Sequence, residues 1–442
     1  MPARSINTPC WLLLIGLFLI LVSKSLLTEG MFFDGLTYAS ISRNMAEGQG
    51  TFWNPHYTQT LYPEFRQHPP LALGMEALAF KAFGDHWWVE KAYSVLMFLL
   101  SGLFIALIWK RTTNNLRWAW LPLLFWIAMP LVSWSATNNL LENTMSVFVL
   151  LSVYLMIVGY QRHHKIWLFL SAVALLLAFL CKGFTGLFLL AFPILYCAFD
   201  QKRKWIQGPI DSLLLLVSVA VFGGIMFLVC PGSFAYLKDY IQLQVIGGGL
   251  YETTASSRFY IVFALLQQLM IPFVIALALV ICKARSKVNR KVFEFPPDKG
   301  WFYSFLVLGL LGVLPIMVSV KQRDFYMLAA LPFFALACGH ITLSMLTLWL
   351  PKITPTVRGW MTLGAGCVML LGLVLNIVHI GKYGRDEALI EEVKQKIAEV
   401  GDNSIIEISH EEYTQWAKHA YYMRYGKISL SPTQHISPID SR

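Results

Sequence analysis

The sequence predicts an all-α polytopic membrane protein with about eleven transmembrane helices, a structured extracytoplasmic first loop and a small α/β C-terminal region outside the bilayer. Three observations predict it. Of the 442 residues, 57% are hydrophobic and only 14% charged, against roughly 25% charged in an ordinary soluble domain. Apolar runs of about 20 residues, each long enough to cross a bilayer as a helix, recur from Cys10 to Ile380. Two polar segments, about 29–91 and 381–442, stand apart from them. The composition excludes a soluble enzyme. The net charge of +10 is scattered through short loops and forms no single basic face, so it reads as membrane topology and not as a nucleic-acid surface. The seven cysteines lie in or beside apolar runs, with no CxxC and no clustering with His, so neither a disulfide framework nor a zinc site is expected.

The expected spans are 10–28, 92–109, 118–134, 142–160, 166–181, 184–199, 212–230, 259–282, 301–320, 327–350 and 359–380. With the N-terminus inside, the inner loops hold Arg4; Lys110, Arg111 and Arg117; Arg162 and Lys165; Lys202, Arg203 and Lys204; Lys283, Arg285, Lys287, Arg290, Lys291 and Lys299; and Lys352 and Arg358. The outer short loops carry far fewer basic residues, which gives N-in, C-out. The first run reads as a retained anchor, because no small-residue cleavage site follows Lys24-Ser25-Leu26-Leu27. Residues 1–380 then form the membrane domain and 381–442 a small extracytoplasmic region. In the latter, Asp386 to Val400 has helical periodicity, Ile405–Ile408 reads as a short strand and Glu411 to Tyr425 as a second helix.

In the first loop, Asp34 stands just past the first span, wet enough to ionise and close to lipid. Residues 38–46 place Ile41 and Met45 one helical turn apart, as in an amphipathic helix lying on the membrane. Gly48-Gln49-Gly50 stops it. The stretch Pro63 to Leu71 is a rigid turn carrying Glu64, Arg66 and His68, and a second interfacial helix runs from Leu71 to Phe83. Two bland roles stand beside the functional ones: Asp34 as a helix N-cap, and His68 as a turn residue bonded to backbone.

Ionisable residues at membrane depth cost roughly 2.5–3.5 kcal/mol each and are functional candidates. Glu142 opens the fourth span, Lys182 sits in the tight outward hairpin Cys181 to Gly186, and Lys321-Gln322-Arg323-Asp324 caps the ninth. Snorkelling would explain any one of the cations. All of these groups lie on the side of Asp34, and that convergence suits a phosphate-bearing lipid. His340 and Gln267-Gln268, nearer the midplane, read as helix–helix hydrogen bonding. Gly247-Gly248-Gly249 reads as a flexible extracytoplasmic loop that could gate the site.

Together, Asp34 with Tyr38, His68-Pro69-Pro70-Leu71 with Phe83-Gly84, Lys182-Gly183 with Gly186, and Arg323-Asp324-Phe325-Tyr326 running into Leu331-Pro332 resemble glycosyltransferase family 39. That group includes protein O-mannosyltransferases and the aminoarabinose transferases of lipid A, and has the C-type glycosyltransferase fold. The resemblance covers roughly residues 10–350. It implies transfer of a sugar from a polyprenyl-phosphate donor to an extracytoplasmic lipid, glycan or protein hydroxyl by inverting displacement. Asp34 would be the general base, on the outer face of a bacterial inner membrane. Lys182 and Arg323, with Tyr326 as hydrogen-bond donor and Arg66 as a weaker choice, would hold the donor phosphate. Glu142 would orient the acceptor or share a proton with Asp34, and Tyr38, Glu64 and His68 complete the candidates. The chain departs from the family at Gly35, where Glu is frequent, and at His68, where many bacterial members carry Lys. No organic cofactor or nucleic acid is required, and a divalent metal is left open. A transporter or lipid flippase is the competing class, but transporters place polar groups near the midplane in two related halves, a pattern not visible here.

Overall fold

The computed structural model describes residues 6–199, 204–248, 254–285, 299–349 and 353–433. In chain order its main helices are α1 (Asn7–Leu26), α2 (Phe33–Ala46), α3 (Leu71–Phe83), α4 (Val89–Thr113), α5 (Trp120–Ile127), α6 (Pro130–Ser135), α7 (Leu141–Arg162), α8 (Ile166–Lys182), α9 (Phe192–Phe199), α10 (Gln207–Val229), α11 (Ser233–Tyr240), α12 (Tyr260–Arg285), α13 (Lys299–Val313), α14 (Leu331–Trp349), α15 (Pro355–His379), α16 (Glu387–Val400), α17 (His410–Tyr413) and α18 (Trp416–Gly426). Arg4, Lys202, Arg203, Lys287, Arg290, Lys291, Lys352 and Gly249 lie outside the described residues.

Among the described residues, eight helices are long and apolar enough to cross a membrane, and Leu116–Ile127 and Tyr260–Ile275 are shorter apolar helices. Three expected runs account for the difference from eleven. Run 118–134 breaks before Pro130, which cannot donate a backbone hydrogen bond, and Met129 is extended. The side chain of Gln268 accepts the freed Leu131 N–H at 2.7 Å, the interhelical role read from the sequence. His340 likewise meets the Thr112 hydroxyl at 3.1 Å. Runs 166–181 and 184–199 form one apolar stretch, Ile166–Phe199, that folds back at Gly183. This glycine has φ +78°, and a Cβ on Gly186 would touch the Cβ of Ala178 at 3.3 Å, which only a reversed chain permits. The third is 259–282, where α12 runs over Tyr260–Arg285 with Pro272 inside it, and the apolar stretch among the described residues is Tyr260–Ile275.

The first loop is built as a folded unit. Helix α3 matches the expected Leu71 to Phe83, but α2 begins at Phe33, earlier than read, and does not lie half-exposed on the membrane. Gly35, Leu36 and every residue from Tyr38 to Asn44 are buried. The polar ones find partners inside: Ser42 donates to Glu76 at 2.8 Å, and Asn44 donates to the carbonyls of His56 and Tyr57. Arg43, only 1% exposed, donates to the carbonyls of Met423 and Arg424 at 3.1 and 3.0 Å. A buried Arg is tolerable because both terminal nitrogens donate, Nη2 also to Asn44 Oδ1, and Asp85 lies 3.7 Å away; its Nε alone has no partner among the described residues.

Those carbonyls belong to α18, so the C-terminal region is docked on the first loop and not set apart from it. Its expected elements are present: α16, the strand β1 (Ile405–Ile408), which pairs in parallel with β2 (Ser429–Pro432), and a helical stretch divided into α17 and α18. Ser409 caps the first of these two with a capping box. Ile390, Val393, Tyr421, Tyr422, Ile428 and Leu430 share one apolar core with Met31 and Leu36. Arg424 completes the joint with bonds to Glu90 at 2.9 and 3.0 Å, Asp85 at 2.6 Å and the His86 carbonyl at 2.9 Å.

Candidate functional site

Asp34 lies in the first turn of α2, but it is not the cap. The cap residue is Phe32, and no side chain on α2 caps that end. Its amide donates instead to Asn138 Oδ1 at 2.9 Å, from the turn between α6 and α7. The neighbouring Asn139 donates to the Gly35 carbonyl at 3.2 Å and to Glu76 at 2.7 Å. With its capping task done elsewhere, the Asp34 carboxylate accepts no hydrogen bond from the described residues. Burial raises its pKa above the ordinary value, and the nearby cations Lys182, Arg323 and Lys321 oppose that shift.

Lys182 ends α8 at the reversal. Its ammonium lies 3.2 Å from Glu142 Oε1, with the two side chains 6% and 1% exposed. Neither Glu142 oxygen has an aligned hydrogen bond, so charge, not donor geometry, holds the pair. Three rings surround the same ammonium: Tyr38 and Tyr326 at 5.7 Å and Phe325 at 5.9 Å, within cation–π range. Tyr38 is one turn after Asp34 on α2, so the carboxylate and the cation face one another across a ring wall. Gly183 is required here, because a Cβ would come within 1.9 Å of the Tyr240 hydroxyl.

His68 joins that wall. Its ring meets Tyr38 edge-on at 5.7 Å and Phe65 at 6.2 Å, while its carbonyl accepts from Tyr236 at 2.7 Å. Burial, then Lys182 and Lys321, push the imidazole well below its usual pKa, so it is neutral at pH 7. Arg323 is exposed at the head of the turn Asp324–Ala330, and the preceding Gln322 pins that segment by donating to the carbonyls of Arg258 and Ser319. Lys321 donates to Gln244 at 3.3 Å.

Not every candidate converges. Arg66 is ion-paired with Glu64 at 2.7 Å and with Asp239, and neither Arg66 nor Glu64 is among the charges acting on Asp34. The structure thus brings together Asp34, Tyr38, His68, Glu142, Lys182 and Tyr326, with Arg323 at the rim, and ties Arg66 and Glu64 to each other. Sequence reasoning missed Phe325, Tyr240 and the positioning task of Asn138 and Asn139. A signal existed for Tyr240, which follows Tyr236 by one helical turn. Among the described residues, no three His, Cys, Asp or Glu side chains converge as a metal site.

A family model described as dolichyl-phosphate-mannose-protein mannosyltransferase matches residues 67–226, a stretch holding His68, Glu142 and Lys182. No curated protein sequence matches the chain significantly. In structure, the chain is similar to ArnT from Cupriavidus metallidurans bound to undecaprenyl phosphate, with TM-score 0.61 and 15% identity over 97% of this chain and 85% of that one. It is also similar to the apo state of that ArnT, with TM-score 0.62 and 15% identity over 92% and 81%. A third neighbour is the Archaeoglobus fulgidus oligosaccharyltransferase in complex with Zn and sulfate, with TM-score 0.51 and 14% identity over 97% and 62%. The likeness is one of fold: this polytopic, mostly helical membrane protein has the C-type glycosyltransferase fold, as the sequence resemblance implied.

Proposed function

We propose that the chain is a membrane glycosyltransferase that moves a sugar from a polyprenyl-phosphate donor to a hydroxyl acceptor on the extracytoplasmic side of a bacterial inner membrane. The observation that carries this reading is the pairing across one ring-walled site of an unengaged carboxylate, Asp34, with a buried cation, Lys182, held by Glu142. The family match and the fold shared with an undecaprenyl-phosphate-bound ArnT support it.

The acceptor oxygen attacks the anomeric carbon as the bond from that carbon to the donor phosphate breaks, so the configuration inverts. Asp34 takes the acceptor proton, a task its raised pKa favours, since a stronger base is a better proton acceptor. The electron pair of the broken bond leaves with the phosphate, and Lys182 and Arg323 stabilise the charge that develops there. Tyr326 adds a hydroxyl on the Lys182 side, and the neutral His68 shapes the wall without competing for the phosphate. Glu142 fixes the ammonium in place.

The test is sugar transfer in proteoliposomes, offering a panel of polyprenyl-phosphate sugars with an envelope lipid and peptide extract as acceptor. Wild type transfers a sugar, and Asp34→Asn keeps donor binding while transfer falls by about 10²–10⁴. If neither protein consumed donor and labelled lipid crossed the bilayer, a flippase would take the place of the transferase.

A further inference from the structure

The backbone leading into Asp34 is held from the far end of the chain. The Glu29 N–H donates to the Lys382 carbonyl at 2.9 Å, and the Glu29 carbonyl accepts from Gly384 at 2.8 Å, making a parallel bridge between Glu29 and Tyr383. Gly30 has φ +89°, and a Cβ there would come within 2.5 Å of the Arg385 carbonyl. The Arg385 guanidinium covers the Phe32 ring at 5.9 Å. Between these contacts stands Tyr421, 0% exposed, whose hydroxyl accepts the Met31 N–H at 3.2 Å. It donates to Asp386 at 2.8 Å, with the Met31 carbonyl 3.1 Å away. Met31 is three residues before Asp34.

We propose that residues 381–433 are a positioning clamp for the base, with Tyr421 as the positioning residue that sets where α2 begins and so where Asp34 points. The proposal rests on the sugar-transfer reading. It also explains why a surface-sized appendage spends two buried arginine contacts and a buried tyrosine on the first loop. The donor cations Lys182 and Arg323 come from α8 and from the turn before α14, and the hydroxyl of Tyr421 bonds to neither, so base placement and donor binding rest on different elements. A displacement of about 1 Å at a reacting group can cost on the order of 10² in rate.

Tyr421→Phe keeps the ring in its core and removes only the hydroxyl. Its control is Tyr422→Phe on the same helix, whose hydroxyl donates to Glu392 at 2.9 Å, away from residues 29–34. In Tyr421→Phe, kcat falls about 10–100-fold with donor KM unchanged, and amide exchange quickens in a peptide covering residues 29–36. Tyr422→Phe changes neither. Equal losses of kcat in both variants, or unchanged exchange at 29–36 in Tyr421→Phe, would overturn the clamp. Quickened exchange in a protein whose wild type transfers no sugar would count against the transferase reading alone.

Discussion

The carbonyl oxygen of Asn138 occupies the space where a side chain on Gly35 would begin, with a Cβ there only 2.2 Å from it. A residue with a side chain at position 35 could not let the α6–α7 turn approach this closely. Gly35→Ala must push α2 and Asn138 apart, an overpacking worth about 1–3 kcal/mol, and the shift falls on the residue next to Asp34, the proposed base. The expected outcome is a kcat reduced at least about tenfold with little change in donor KM. An active Gly35→Glu variant would show that the close packing has no bearing on catalysis.

The pH profile follows from Asp34. A base works only when ionised, and burial raises its pKa, so kcat/KM declines on acidification before pH reaches the ordinary aspartate range. Arg323→Gln removes an opposing cation and moves the acid limb further up. His68→Gln leaves the limb in place, because the imidazole already stays neutral across that range. The rate profiles of the three proteins check this directly.

Removing Lys182 while keeping Glu142 leaves a buried carboxylate with no counter-charge. Breaking such a pair costs about 3–5 kcal/mol, so Lys182→Met melts several degrees lower. Adding Glu142→Gln restores much of the melting temperature but no donor binding, since the ammonium is gone. Rescue of folding without rescue of affinity, read by melting and donor titration on the same samples, is the expected split.

Glu76 gives a stability test away from the spans. Burial raises its pKa to about 8 from the ordinary 4.5 of a glutamate, so between these values the folded chain holds a proton that the unfolded chain has lost. Stability is therefore greatest at the acid end of that window and falls as pH rises towards 8. Glu76→Gln should flatten this slope in melting curves recorded from pH 5 to 8. A wild-type melting temperature that did not decline over that range would contradict the protonated state.

Much of the site was legible because charge is costly in an apolar chain. Asp34, Glu142 and Lys182 stand out from their surroundings, and the shared sidedness that linked them in the sequence is a 3.2 Å ion pair in the structure. Arg66 and Glu64 carried the same signal for a different reason, since they neutralise one another and Asp239. Asn138 was illegible as a positioning group, because an uncharged amide costs little and reveals its task only through the backbone it reaches. Arg43 and Arg424 pointed the wrong way. In sequence they resemble solvated helix residues, and their buried partners are set by contacts more than 330 residues apart that no local pattern contains.

The Arg43 guanidinium has consequences for biosynthesis. Its two carbonyl acceptors are added 380 and 381 residues later, and at about 5–20 residues per second they leave the ribosome roughly 20–80 s after Arg43 does. Until then the first loop holds a guanidinium that has only the Asn44 side chain and the nearby Asp85 to pair with among the described residues of that loop. A stalled or prematurely terminated product therefore displays an unfinished loop that proteases can recognise. The first loop is complete only once translation has passed residue 424.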